Sequence, residues 1–213
     1  MIHAYDRMYL DKARNCLGRM LDFVVYDLKY DISSFFELFV KSNISERFAS
    51  GDFTVLVGMS GVELAYHVLD HLGISYKRVE PTYMIDRSEE YWTGWALAYY
   101  QWQTSISFKE IQRYISIKSI QDLYSPYHEM DIQHLSDKLN EMYRNAKPDT
   151  NLKIRRTSVG ITQSQLADQT GIPVRTIQQY EQRQKDINKA KAMYLVLLAR
   201  ELYCDVEDLI EKC

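Results

Sequence analysis

The residues from Thr162 to Tyr180 constrain the fold more tightly than any others in the chain. Thr162 stands three residues before Gln165, the spacing of a capping box, in which each side chain satisfies the other's backbone N–H at a helix start. Leu166 and Ala167 then face inward, and small Ala167 lets a second helix approach closely. Gly171 falls where that first helix must end in a left-handed backbone conformation, which glycine adopts without steric cost. Ile172 follows as a buried turn residue, and Ile177 and Tyr180, three apart, anchor the inner face of a second helix. Val174, Arg175, Thr176, Gln178 and Gln179 are left pointing outward. The spacing predicts two short helices joined by a glycine turn, with polar side chains on the outer face of the second.

That arrangement is helix-turn-helix geometry, in which a supporting helix holds a second helix whose polar side chains enter the major groove of DNA. From Arg155-Arg156-Thr157 through Ile161-Thr162-Gln163-Ser164-Gln165-Leu166-Ala167 to Gly171-Ile172-Pro173-Val174-Arg175-Thr176-Ile177-Gln178-Gln179-Tyr180-Glu181, the chain resembles the Xre and lambda-repressor-like helix-turn-helix family. The resemblance covers residues 154–210 and implies a five-helix domain, with a fourth helix near 189–203 and a short fifth over 206–210. It implies base-reading positions at Val174, Arg175, Thr176 and Gln179, and phosphate contacts at Gln163 and Arg183. Arginine can pair bidentately with guanine, and glutamine with adenine. Lys185 and Lys189 add candidate phosphate contacts by their charge. Two positions depart from the family pattern: Pro173 replaces the usual Ser or Thr cap of the recognition helix, and Arg183 stands where many members have glycine.

A net charge of −3 over 213 residues does not look like a nucleic-acid binder, but whole-chain charge averages over segments of different sign. Residues 1–147 hold 16 Lys plus Arg against 20 Asp plus Glu, while residues 148–213 hold 10 against 9. Between 153 and 191, eight basic residues (Lys153, Arg155, Arg156, Arg175, Arg183, Lys185, Lys189, Lys191) face three acidic ones (Asp168, Glu181, Asp186). Lys147-Pro148-Asp149-Thr150-Asn151 marks the boundary, because its proline cannot continue a preceding helix and its polar residues favour a turn. The expected division is therefore 1–147 and 148–213.

Upstream of the boundary, apolar residues recur at helical spacing, and four prolines and eight glycines leave little material for the turns of a many-stranded sheet. The fold class expected is all-α. Capping-box spacings at Ser60 with Glu63, Asp86 with Glu89, and Ser107 with Glu110 mark helix starts. Helices are expected near 3–29, 33–49, 60–72, 87–104, 108–124 and 129–146, with a short strand near 53–57. The segment Glu46-Arg47-Phe48-Ala49-Ser50-Gly51-Asp52-Phe53 and the following Gly58-Met59-Ser60-Gly61-Val62-Glu63-Leu64-Ala65-Tyr66 resemble, across residues 10–73, a small helical domain of unknown function. The operons associated with that domain encode toxin-like partners.

Tyr91-Trp92-Thr93-Gly94-Trp95-Ala96-Leu97-Ala98-Tyr99-Tyr100-Gln101-Trp102 is apolar almost all round a helix. Such a helix is usually a central core element, yet Trp and Tyr are also enriched where partners bind, so Tyr91, Trp92, Trp95 and Tyr99 are candidate partner-binding residues.

Catalytic readings find less support. His67 and His71, four apart with Asp70 beside them, have the spacing of two metal ligands, but Val68 stands where a zinc protease needs Glu. Glu89 and Glu90 diverge by about 100 degrees on a helix and suit its N-terminal dipole rather than paired catalysis. Gly58-Met59-Ser60-Gly61 lacks both the Lys-Ser/Thr of a phosphate loop and the Gly-x-Ser-x-Gly spacing of a nucleophile elbow. Cys16, Cys204 and Cys213 are too few and too widely spaced for a disulfide framework or a zinc motif. No enzyme, metal or cofactor is expected. The opening residues lack a basic region followed by an apolar run, and no stretch approaches a membrane span; the expectation is a cytoplasmic, nucleoid-associated bacterial protein. These readings converge on an antitoxin and autorepressor. The C-terminal domain would bind double-stranded operator DNA as a homodimer, and the N-terminal domain would neutralise a cognate toxin. The alternative is a stand-alone repressor whose N-terminal domain senses a signal.

Overall fold

Short polar side chains start most of the helices, and where each sits explains where the chain turns. Asp31 accepts from the Ser34 amide, Ser60 from Glu63, Ser88 from Tyr91, Ser107 from Glu110 and Ser116 from Ser119, satisfying backbone donors that no helix can satisfy internally at its N-terminus. The computed structural model describes residues 3–82 and 86–211. The fold is all-α, as expected, with no strand among the described residues. The chain divides into two compact units, Met1–Lys147 and Pro148–Cys213.

In the first unit the helices are α1 (Leu10–Tyr26), α2 (Ile32–Lys41), α3 (Ile44–Ala49), α4 (Phe53–Leu56), α5 (Gly61–His71), α6 (Glu89–Thr104), α7 (Phe108–Tyr114), α8 (Ile117–Gln121), α9 (Tyr124–Tyr127) and α10 (Ile132–Ala146). Helix α6 is the central element the aromatic run suggested: Trp92, Ala96, Leu97 and Tyr100 are buried, and α1 crosses it closely. The crossing depends on two glycines. A Cβ on Gly94 would lie 2.5 Å from the Leu17 carbonyl oxygen, and one on Gly18 would lie 2.7 Å from that of Tyr91, both inside van der Waals contact. Around this pair, Phe39, Phe48 and Phe108 meet edge to face, with centroids 5.4 Å apart for Phe39–Phe108 and 5.6 Å for Phe48–Phe108, the geometry that ring quadrupoles favour.

Several expected boundaries are corrected. Residues 53–57 are not a strand: Asp52 caps α4 through the Thr54 amide, and Arg47 donates to the same carboxylate at 2.8 Å. The helix expected over 3–29 begins with a 3-10 turn at Arg7–Tyr9 and ends at Tyr26, before Lys29 turns left-handed at φ 62°. The span 33–49 breaks at Asn43, also left-handed, and 108–124 breaks at Ile115, which is extended so that Ser116 can cap α8. Of the capping boxes, Ser60 with Glu63 is complete. Ser88, not Asp86, caps α6, and its hydroxyl also donates to the buried Asp22 at 2.7 Å. Ser107 caps α7, but Glu110 turns away to accept from the Tyr143 hydroxyl.

In the second unit α11 (Asn151–Val159), α12 (Gln163–Thr170), α13 (Val174–Glu181) and α14 (Ala192–Glu201) surround a core that includes Leu152, Leu166, Ile172, Ile177, Leu198 and Leu209. Thr150 caps α11 through the Lys153 amide. The expected fourth helix is shorter than 189–203 because Ala190 is extended and Tyr203 left-handed, and the fifth is a single 3-10 turn at Val206–Asp208.

Candidate nucleic-acid interface

Helix α12 starts with a complete capping box: the Gln165 amide donates to Thr162 Oγ1 at 3.2 Å, and the Thr162 amide donates to Gln165 Oε1 at 2.8 Å. It ends at Gly171, left-handed at φ 69°, whose N–H reaches the Ala167 carbonyl at 2.8 Å. Pro173 then caps α13 by backbone geometry alone, with no side-chain acceptor. Helix α13 commits one face inward through Ile177, Tyr180 and Glu181, all buried. Val174 and Arg175 are exposed, the former at 37%, and Thr176, Gln178 and Gln179 are partly so. The four expected base-reading residues thus sit on the outer surface of one eight-residue helix.

Beneath that helix lies an ion pair that sequence reasoning missed. Arg156 of α11 grips Glu181 at the end of α13 with two parallel bonds, Nε to Oε1 at 2.7 Å and Nη2 to Oε2 at 3.0 Å, while its Nη1 donates to the Ile161 carbonyl at 2.7 Å. Gln163, the first residue of α12, donates to the same carboxylate at 2.7 Å. Three elements are therefore fixed around one buried carboxylate in the strong bidentate geometry of guanidinium and carboxylate. The hydrogen bonds to Glu181 raise the Arg156 pKa further. The cluster had no local signature, because Glu181 lies 25 residues from Arg156; counting both as surface charge hid it.

The expected phosphate-contacting residues divide. Gln163 is exposed enough to meet a backbone but is held by Glu181. Arg183 turns inward: its Nη1 donates to the Pro148 carbonyl at 2.8 Å and its Nη2 lies 3.0 Å from the Glu211 carboxylate. Its φ of 52° explains why glycine suits this position. The left-handed backbone costs a non-glycine residue about 1–2 kcal/mol, here offset by the two guanidinium contacts. Lys185 is exposed on the loop after α13, and Lys189 is exposed at the end of the 3-10 turn Ile187–Lys189. Of the eight basic residues between 153 and 191, Lys153 pairs with Asp149, Arg155 with Asp208, and Lys189 with Asp186 at 3.6 Å. With Arg156 and Arg183 also paired, Arg175, Lys185 and Lys191 have no ion pair among the described residues. The Lys189 pair is highly exposed, so solvent screens it and it yields readily to a phosphate.

In the first unit, Trp92 is buried while Tyr91, Trp95 and Tyr99 are half-buried along one side of α6. The Arg14 guanidinium lies 3.3 Å from the Trp95 ring centroid. His67 and His71 share α5 with Asp70, whose carboxylate accepts from the Tyr76 hydroxyl at 2.7 Å; no group of three or more His, Cys, Asp or Glu is placed to hold a metal among the described residues. Glu90 accepts from Gln121, and Glu89 faces solvent. Burial pushes the Cys16 thiol up to about 12, which keeps it protonated, and raises that of Cys204; Cys213 lies outside the described residues. No helix among the described residues is long and apolar enough to cross a membrane.

Residues 152–209 match the family model for helix-turn-helix domains, and the match lies entirely within the second unit. That unit is a helix-turn-helix domain of the type found in DNA-binding transcription regulators. No curated protein and no solved structure matches the chain.

Proposed function

We propose that the chain is a sequence-specific transcriptional repressor that binds operator DNA through α13. The observation that supports this most is the two-sided character of that helix: its inner face is locked to α11 and α12 by the Arg156–Glu181 pair and buried Ile177, while Val174, Arg175, Thr176 and Gln179 are presented outward. A rigidly seated helix with Arg and Gln outward suits direct readout, each good bidentate pair discriminating by about 1–3 kcal/mol. Lys185, Lys189 and the Gln163 amide would contact phosphates and fix the register. Repressors of this type read two half-sites one helical turn apart, so the active form proposed is a homodimer on a palindrome. The α14 surface favours such pairing, with Met193 exposed at 65% and Val196 at 54% on adjacent turns.

Selection of binding sites from a random duplex pool tests this reading. Arg175→Ala and Gln179→Ala should each relax preference at one base position; an unchanged selected site in both variants would refute the assignment.

For the first unit we propose the antitoxin role, neutralising the product of a neighbouring gene. The supporting observation is a separate unit with its own core and a half-buried aromatic face at Tyr91, Trp95 and Tyr99. Coexpression with each neighbouring gene tests it: rescue of growth from a toxic neighbour supports the role, and the absence of any such pair leaves the signal-sensing repressor.

A further inference from the structure

A cavity of about 470 Å³ opens in the first unit between α1, α6 and the segment from α9 to α10. Its volume falls within the range of about 300–1,000 Å³ typical of small-molecule sites. The walls are aromatic: Tyr91, Trp92 and Trp95 of α6 face Tyr124 and His128, which stack with centroids 4.2 Å apart, and Trp92 meets Tyr124 edge-on at 5.4 Å. Two arginines share the lining. Arg14 lies over the Trp95 ring, and the Arg87 guanidinium carbon sits 4.8 Å from the Tyr91 centroid. No Asp or Glu is among the described lining residues, and Glu129, 3.6 Å from His128 Nε2, extends a largely exposed carboxylate to solvent.

Arg14 is the anomaly. Its Nε and Nη2 are buried and have no hydrogen-bond partner among the described residues, whereas a guanidinium offers five donors and a buried donor left unpaired is costly. Burial lowers its pKa in spite of the opposing field of Asp11. Those two donors are closed to solvent, so what Arg14 offers an incoming anion is its positive charge and its remaining guanidinium nitrogen, Nη1. Arg14 already covers one face of Trp95 and His128 one face of Tyr124, so a ligand ring would meet the remaining faces and edges of these side chains.

We propose that this cavity binds a planar aromatic anion, its ring stacked among Trp92, Trp95 and Tyr124 and its carboxylate or phosphate directed to Arg14 and Arg87. Tyr91 and Trp95 also belong to the face proposed to meet a toxin, so a ligand seated in this cavity would compete with that partner. The site is independent of DNA reading by α13, and it is tested without DNA.

Isothermal titration of the full chain with 2-naphthoate and with adenosine monophosphate supplies the carboxylate and phosphate-ester versions of such a ligand. 2-Naphthamide, adenosine and inorganic phosphate are the matched probes that lack either the charge or the ring. At least one aromatic anion should bind saturably and about tenfold or more tightly than its neutral counterpart, as loss of a charge-assisted bond implies; which of the two binds identifies the anionic group. Arg87→Gln, at an exposed position, and Arg14→Gln should each weaken binding about tenfold, while Arg113→Gln, on the exposed surface of α7, should not. Failure of both anions to bind, equal binding of the neutral probes, or equal loss in Arg113→Gln would overturn the proposal.

Discussion

Removing the Glu181 carboxylate tests how the reading helix is held. Glu181→Ala leaves Arg156 charged and buried with the Ile161 carbonyl as its remaining acceptor, and it also deprives the Gln163 amide. Breaking one side of a buried pair costs about 3–5 kcal/mol. The lower end applies here, because Arg156 keeps one hydrogen bond and its side chain is 10% exposed. For a domain of this size each kcal/mol moves the midpoint by about 4–8 °C, so a loss near 3 kcal/mol lowers it by about 12–24 °C. The paired replacement Arg156→Met with Glu181→Leu should recover most of that loss, since apolar residues of similar volume often substitute for a buried ion pair at little cost. The two units can be followed separately. All three tryptophans, Trp92, Trp95 and Trp102, lie in the first unit, so a melting transition seen by circular dichroism but not by tryptophan fluorescence belongs to the second. A shift below about 4 °C for Glu181→Ala, or a double variant as unstable as the single, would show that the carboxylate does not organise α11, α12 and α13.

Four further outcomes follow from other contacts. Lys185→Ala should reduce the slope of log affinity against log salt by about 1, whereas Arg183→Ala should leave that slope unchanged and lower the melting point of the second unit; a reduced slope for Arg183→Ala would return that residue to the phosphate-contacting set. Gly94→Ala forces a methyl against the Leu17 carbonyl and should destabilise the first unit by about 1–3 kcal/mol in urea titrations followed by fluorescence; wild-type stability would show that α1 and α6 can separate. Met193→Asp with Val196→Asp should convert a dimer to monomers in sedimentation and weaken operator binding without changing the preferred half-site. Glu63, held below the ordinary carboxylate range by the Ser60 amide and hydroxyl, contributes stability at pH values above that range and loses it as pH falls through its lower folded value; urea titrations of the Glu63→Gln variant should show a flatter acid dependence than the parent.

What was legible in the sequence was whatever short-range stereochemistry dictates. Gly171 ended α12 because glycine takes φ 69° there without the cost that a side chain brings, and the Thr162 and Ser60 boxes formed as spaced. Errors arose where two local rules competed. At 53–57 a β-branched, aromatic run suggested a strand, but Asp52 was positioned to cap a helix and Arg47 was positioned to hold Asp52. At 86–89 the Asp–Glu spacing suggested a box, yet Ser88 also satisfies buried Asp22 across 66 residues, a reward no local pattern registers. The close crossing of α1 and α6 was invisible for the same reason, because Gly18 and Gly94 acquire meaning only when each faces the other's backbone.

Charge at the DNA-facing unit was legible in number but not in availability. Eight basic residues between 153 and 191 looked like an electrostatic footprint, yet five are engaged with carboxylates inside the unit, including Arg156 and Arg183, which act as struts. Binding that depended on the bulk of those charges would fall with roughly one unit of salt slope for each phosphate neutralised. Between 153 and 191, Lys185 and Lys191 are, besides the proposed base-reading Arg175, the cations free of ion pairs among the described residues, and Lys189 is weakly paired, so each half-site should draw a shallow slope of about 2–3 from this stretch. On the proposed reading, discrimination would then come chiefly from base edges met by Arg175 and Gln179. A steep slope per monomer would mean that the internal pairs open on DNA, which the bidentate Arg156–Glu181 geometry opposes.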